Sequence, residues 1–295
     1  MNLWTSLYDP DARETRGERV QGLVWQAIAV CAIVEHAFRW AFEMSHHERV
    51  VKPLGLARYV NVAWLFDLRL GLAHAALVTV LALIALSSRH KALYLAVVAC
   101  AHLQHVARCA LGKAGHGSHF AGLALLFLGI AHVWTNREAV ARRAAAGLTL
   151  FFYGLSYTTS GIIKLARSGP GWSDGTHLWL WMAEKRVDLT AEHGRFVLNP
   201  LQEMVLASRP LATGLLTFGL LSELFAFLMW WKTTRPFLAL ALCGMHIGVM
   251  LTLDIHFLEN ALLLLGLALP IASFVDRPGP RASEALAEGA SEPTA

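Results

Sequence analysis

Long apolar runs constrain this chain more than any other feature. The run 144–163 carries no formal charge, and about 20 predominantly apolar residues let a helix cross the hydrocarbon core of a bilayer. Similar runs recur along the sequence, so several spans are expected rather than one anchor. Of the 295 residues, 16% are charged and 56% are hydrophobic, with a mean hydropathy of +0.47. Soluble domains carry about 25% charged residues. The sequence therefore predicts an all-α fold, a polytopic integral membrane helical bundle of about eight transmembrane helices in the cell membrane. They fall near 22–42, 63–87, 91–111, 119–135, 144–165, 210–231, 236–254 and 256–275, the fifth, sixth and eighth being the clearest. The last two are joined by a tight hairpin around Asp254 and His256.

Three segments fall outside the spans. Residues 1–21 include Asp9, Asp11, Glu14 and Glu18 and lack the basic start and apolar middle of a cleaved signal peptide. Residues 276–295 are rich in Pro, Ala, Glu and Ser, the composition of a disordered tail. The connection 166–209 places Trp179 and Trp181 near Lys185 and Arg186. Tryptophan beside lysine suits a bilayer interface, so one or two short helices are expected there, lying on the membrane or capping a cavity.

Basic residues give the orientation. With alternating spans, one side collects Arg13, Arg16, Arg19, Arg89, Lys91, Arg137, Arg142, Arg143, Lys232, Arg235, Arg277 and Arg281, while the opposite short loops hold Arg49, Lys52, Arg58 and Lys113 and the long loop adds Arg167, Lys185, Arg186, Arg195 and Arg209. The excess places both termini in the cytoplasm and Lys164, Trp172 and His256 on the exterior side. The pI near 9.0 follows from the same loops. No basic block long enough for a nucleic-acid arm exists, so membrane lipid is the expected partner and nucleic acid is not. The cysteines at 31, 100, 109 and 243 form no Cys-x-x-Cys pair, and neither a disulfide framework nor a thiolate metal site is expected.

Ionisable residues inside the apolar runs identify the candidate functional groups, because each costs about 2.5–3.5 kcal/mol at a bilayer centre unless paired or facing a cavity. Glu35 and Arg39 stand at i and i+4 and form a structural pair or part of a proton relay; Asp67 with Arg69 or Arg58 is expected to pair likewise. His102, His105 and Arg108 share one broad helix face, as interhelical hydrogen-bonding groups, a relay or ligands. Two histidines do not make a metal site, which needs three or four ligands; haem between His102 and His246 is a lesser alternative. His116 and His119 lie among glycines, which favours a loop over a zinc site. Glu223, His246, His256 and Asn260 interrupt the last three spans. No metal is predicted. Lys164 closes the fifth run and has two readings. It snorkels to the headgroups, or it sits desolvated in a pocket and acts as a base.

The local text Tyr157-Thr-Thr-Ser-Gly-Ile-Ile-Lys164-Leu, followed by Gly171-Trp-Ser-Asp174-Gly, resembles the vitamin K-dependent gamma-carboxylase family, whose membrane part is the horizontally transferred transmembrane (HTTM) domain. The similarity extends over roughly 20–275 through Ser222-Glu223-Leu-Phe and Gly244-Met-His246, making 22–275 an HTTM-like domain. The resemblance implies that Lys164 is the base that starts oxidation of a reduced quinone, menaquinone or vitamin K-like. It implies catalytic roles for Glu223 and His246, and substrate contacts from Tyr157, Trp172, Asp174, His256 and Asn260. The family's asparagine-histidine pair falls at 116–119, where His116 or His119 stands in. In size the chain is similar to compact bacterial HTTM proteins that lack the large luminal domain, so carboxylation of a propeptide is not expected. The functional expectation is a quinone-linked enzyme that modifies a secreted peptide. The alternatives are an accessory factor for maturation or export of a secreted peptide toxin, with maturation partner proteins, and a transporter.

Overall fold

The computed structural model describes residues 7–9, 13–47, 55–88, 90–111, 119–195 and 197–276. His116, the loop cations Arg49, Lys52, Arg89 and Lys113, and the tail after Asp276 lie outside them. The described residues are all-α, without a strand. Helix α1 spans Arg16–Ser45 and starts where Thr15 and Glu18 close a capping box, in which two orphan backbone donors are satisfied reciprocally. Then come α2 (Leu68–Ser87), α3 (Leu93–Cys109), α4 (His119–Trp134) and α5 (Glu138–Ser168). A 3-10 turn at Gly169–Ser173 leads to α6 (Thr176–His193), α7 (Pro200–Ala207) and α8 (Arg209–Leu224). After a second 3-10 turn, Ala226–Trp230, the chain closes with α9 (Arg235–Leu253), α10 (Leu258–Ala268) and α11 (Ile271–Val275). Asp67, expected in an ion pair, instead caps α2 by accepting from the Leu70 N–H at 3.0 Å.

Among the described residues three helices are long and apolar enough to cross a membrane: α1, α2 and α9. The pair α7–α8, bent by 108°, supplies a fourth if counted as one broken span. That is fewer than the eight expected, and the segments that looked clearest fall short for identifiable reasons. Helix α5 has 31 residues, but Tyr153, Ser156, Tyr157, Thr158, Thr159 and Ser160 dilute its hydropathy. The sixth segment breaks after Leu224, where the helix tightens into the 3-10 turn. The eighth divides at Pro270 into helices of 11 and 5 residues, because proline has no N–H to continue the ladder. Helices α3 and α4, of 17 and 16 residues, reach only about 25 Å at 1.5 Å per residue.

The main core is built on small residues. Ala29 and Ala37 of α1, Ala75 and Ala82 of α2, Ala121 and Ala124 of α4 and Ala145 of α5 are buried and let the backbones approach closely. Trp25, Leu125, Tyr153, Leu263 and Leu264 fill the space between them. A second core lies beneath α6, where Leu178 and Met182 meet Ala212, Leu216 and Leu220 of α8. At one end of the bundle Arg142 bonds Glu14 at 2.7 Å and Glu138 at 2.5 Å, and the Gly17 N–H donates to Asp276 at 2.8 Å, tying the starts of α1 and α5 to the end of α11. Burial alone would raise the Glu138 carboxyl, but the charge and hydrogen bond of Arg142 hold it below its ordinary value. Lys164 lies at the opposite end of α5, about 33 Å away at 1.5 Å per residue.

Candidate functional site

Tyr153, Tyr157, Ser160 and Lys164 recur every three or four residues along α5, so they form one polar stripe. Helix α8 packs across this stripe at Gly161. A Cβ there would stand 3.0 Å from the Leu224 side chain and backbone nitrogen, closer than packed helices tolerate. This approach sets the neighbouring Glu223 on Lys164. Both carboxylate oxygens lie 2.5 Å from Nζ, and Ser160 lines the same cavity wall. The Glu223 side chain is 7% exposed and that of Lys164 28%. The Trp172 ring faces the ammonium at 4.9 Å, a cation–π contact.

Tyr157 and His246 form a second pair, the hydroxyl 2.5 Å from Nε2. Tyr157 belongs to a stack with Phe120 and Tyr153, and the Tyr153 hydroxyl donates to the Asn260 carbonyl at 3.1 Å. Phe257 lies 4.9 Å from the His246 ring. Both pairs line one cavity of about 810 Å³, together with His119 and Asn260. Ser156, Ser160 and Thr252 add hydroxyls, and the rest of the wall is largely apolar, with Leu215 and Phe218 from α8 and Met245 and Val249 from α9. Trp172, Leu178 and Trp181 roof it, so the connection 166–209 caps a cavity. The roof turns at Gly175, whose φ of 88° is a left-handed conformation that glycine adopts without a Cβ clash.

Among the sequence-predicted residues, Lys164, Glu223, His246, Tyr157, Trp172, His119 and Asn260 are therefore brought together, and others are not. Asp174 lies outside the cavity lining. It accepts from the Thr176 N–H at 2.9 Å, a bond that holds its carboxyl below the usual range, and approaches Arg209 at 3.5 Å. His256 is exposed and lies 3.3 Å from Asp254. Both are loop-shaping groups here rather than lining residues.

The remaining candidates form a separate cluster between α1, α3 and α10. Arg39 bonds Glu35 at 3.1 Å, meets the His36 Nδ1, and approaches Glu259 at 3.6 Å. Glu35, His36 and Glu259 are close enough to ligate one metal ion, but the Arg39 guanidinium already bonds Glu35 and His36 and pairs at longer range with Glu259, supplying a cation there. Nearby, Arg108 pairs with Glu43 at 2.9 Å and lies over Trp40. His102 and His105 line a smaller cavity of about 370 Å³ with His36 and Trp40. His119 borders both cavities.

Sequence reasoning passed over Phe257 at the main cavity, named Ser160 only within the lysine motif and Trp181 only in the connecting segment, and gave His36 no role of its own. Helical spacing could have found Ser160, four residues before Lys164; the others are placed by tertiary packing alone. Comparison of the chain with protein-family models, with curated proteins and with solved structures gave no match.

Proposed function

We propose that the chain is a vitamin K-dependent gamma-carboxylase-like membrane protein of the HTTM type. In this reading it oxidises a lipid-soluble hydroquinone with Lys164 as base and couples the oxidation to modification of a secreted peptide on the extracytoplasmic side of a bacterial cell membrane. The observation that carries the reading is the Lys164–Glu223 pair set in the wall of a largely apolar cavity. At about 810 Å³ the cavity falls in the range of ligand pockets, about 300–1,000 Å³, and like them it is apolar with a few converging polar groups. These residues fit an aromatic ring bearing oxygens and a greasy tail.

A reduced quinone would supply two acidic hydroxyls and two electrons for dioxygen. The chain supplies the proton handling. The amine of Lys164 becomes a base when its proton passes to Glu223, whose carboxylate already touches it; amine and protonated carboxyl then sit together without charge in a site that disfavours charge. Trp172 covers one side of the amine. Tyr157 and His246 hold the oxygen at the cavity wall in place.

The test is oxygen uptake by the purified full chain in lipid nanodiscs with a panel of hydroquinones. Uptake is expected for the wild type and lost in both Lys164→Ala and Lys164→Arg, because arginine does not deprotonate in proteins. Turnover retained by Lys164→Arg sinks the base assignment.

One observation favours a second reading. Both oxygens of Glu223 engage Lys164, which suits a structural tie in an accessory factor for maturation of a secreted peptide. That reading expects Lys164→Met paired with Glu223→Leu to preserve peptide maturation when partner proteins are present.

A further inference from the structure

The bond between Tyr157 and His246 has a direction, and the acidities of the two groups set it. The oxygen-to-Nε2 distance is 2.5 Å. A phenol is a stronger acid than a neutral imidazole N–H, and imidazole nitrogen is a stronger base than a phenolic oxygen. Tyr157 therefore donates and Nε2 accepts. A neutral imidazole carries one N–H, so the ring proton is on Nδ1. That atom is buried without a partner and takes no part in the cavity surface. Tyr157 is half-buried and lines the cavity, while its ring is held by Phe120 at 5.8 Å and Tyr153 at 6.2 Å.

We propose that His246 is a positioning residue that accepts the Tyr157 hydrogen bond and so leaves the phenolic oxygen as a hydrogen-bond acceptor toward the cavity, selecting ligands that present a hydroxyl donor. Resting on the functional reading above, this assigns the ligand class at that wall as a dihydroxyaromatic compound in preference to its dione. A dione carbonyl can only accept, and it meets there an oxygen whose proton is already committed. The discrimination is one hydrogen bond, about five-fold in affinity. The site thereby favours the reduced form and releases the oxidised one.

The test measures binding of 2-methyl-1,4-naphthohydroquinone and 2-methyl-1,4-naphthoquinone to the full chain in nanodiscs under anaerobic conditions, with 1,4-dimethoxy-2-methylnaphthalene as a probe lacking donors. The wild type is expected to bind the hydroquinone about five-fold more tightly than the quinone. His246→Leu frees the Tyr157 proton, so the ratio falls to one or inverts. His246→Gln offers a carbonyl acceptor and restores it. A lost packing contact would weaken both ligands together and leave the ratio unmoved, so an equal ratio in wild type and His246→Leu overturns the proposal while leaving the functional reading intact. Failure of all three probes to bind overturns the ligand class and the functional reading together. The direction of the bond has its own readout. In nitrogen-15 spectra of histidine-labelled protein, the signal missing from His246→Gln must show a proton on Nδ1. A proton on Nε2 refutes the inference whatever binds.

Discussion

Removing one member of the Lys164–Glu223 pair is expected to cost more than removing both. Two charge-assisted bonds of 2.5 Å join them, and their exposures of 28% and 7% set the scale. Fully exposed pairs contribute about 0–1 kcal/mol, while breaking a fully buried pair by deleting one partner costs about 3–5 kcal/mol. With the lysine side chain more than a quarter accessible, Glu223→Leu should cost about 2–3 kcal/mol, between those limits. Glu223→Gln should cost less, about 1–2 kcal/mol, because its carbonyl still accepts from Nζ and the Trp172 face remains. Lys164→Met strands a carboxylate, which can escape part of the penalty by binding a proton. The double replacement Lys164→Met with Glu223→Leu leaves neither charge and should lie within about 1 kcal/mol of the wild type.

The assay is reversible unfolding of the full chain in mixed micelles by denaturing detergent, with the four proteins arranged as a double-mutant cycle. A coupling energy of about 2 kcal/mol or more is the expected result. Additive effects, with coupling under about 0.5 kcal/mol, would refute the geometry, since they would mean that the two side chains do not share the buried site.

Gly161→Ala should cost about 1–3 kcal/mol by overpacking against Leu224, and hydroquinone-dependent oxygen uptake should fall with it as α8 is pushed off Lys164. Gly214→Ala, whose added methyl meets nothing within 4 Å, is the matched control, and equal behaviour of the two would refute the close approach. Acid should weaken the other end of the bundle through Glu138. A carboxyl held below its ordinary value stabilises the fold above that value, 4.5 for this group, and the contribution is lost as pH falls through the depressed one. The thermal midpoint of the wild type should therefore exceed that of Glu138→Gln near pH 7 and converge with it toward pH 3. A constant gap would show that the pair with Arg142 does not titrate.

Much of the candidate site was legible from residue chemistry because an ionisable group in an apolar run demands a reason. Lys164, Glu223 and His246 stood out on that ground together with the motifs that resemble the carboxylase family, and all three line the cavity. The pairing of Lys164 with Glu223 was not legible. The two stand 59 residues apart, and the contact depends on Gly161 letting α8 approach. Asp67 carried its own signal as an N-cap, an aspartate directly before an apolar helical run, yet was expected to pair with arginine. The break after Leu224 has no proline or glycine to announce it. It is held by tertiary bonds, Trp230 Nε1 to the Phe151 carbonyl at 3.2 Å and the Phe227 N–H to Thr158 at 3.0 Å, which no local pattern encodes.

The shortfall in apolar spans and the presence of a site on α5 have one cause. A helix that carries Tyr153, Ser156, Tyr157, Ser160 and Lys164 cannot also be uniformly apolar, so the residues that build the cavity lower the hydropathy by which a span is recognised. Burial separates the two faces. Leu148, Leu155 and Ile162 are 42%, 41% and 54% exposed, at the seven-residue spacing of one helix face, while Thr149 and Tyr153 are fully buried. An outward apolar face with an inward polar one is what a helix needs if lipid lies outside and a polar cavity within. In water the same helix would be inside out. This supports counting α5 as a span in the proposed membrane reading despite its composition, and it predicts that lipid-soluble cysteine reagents will reach Cys variants at 148, 155 and 162 but not at 149 or 153. Labelling of position 149 as fast as position 148 would show that α5 is not arranged in this way.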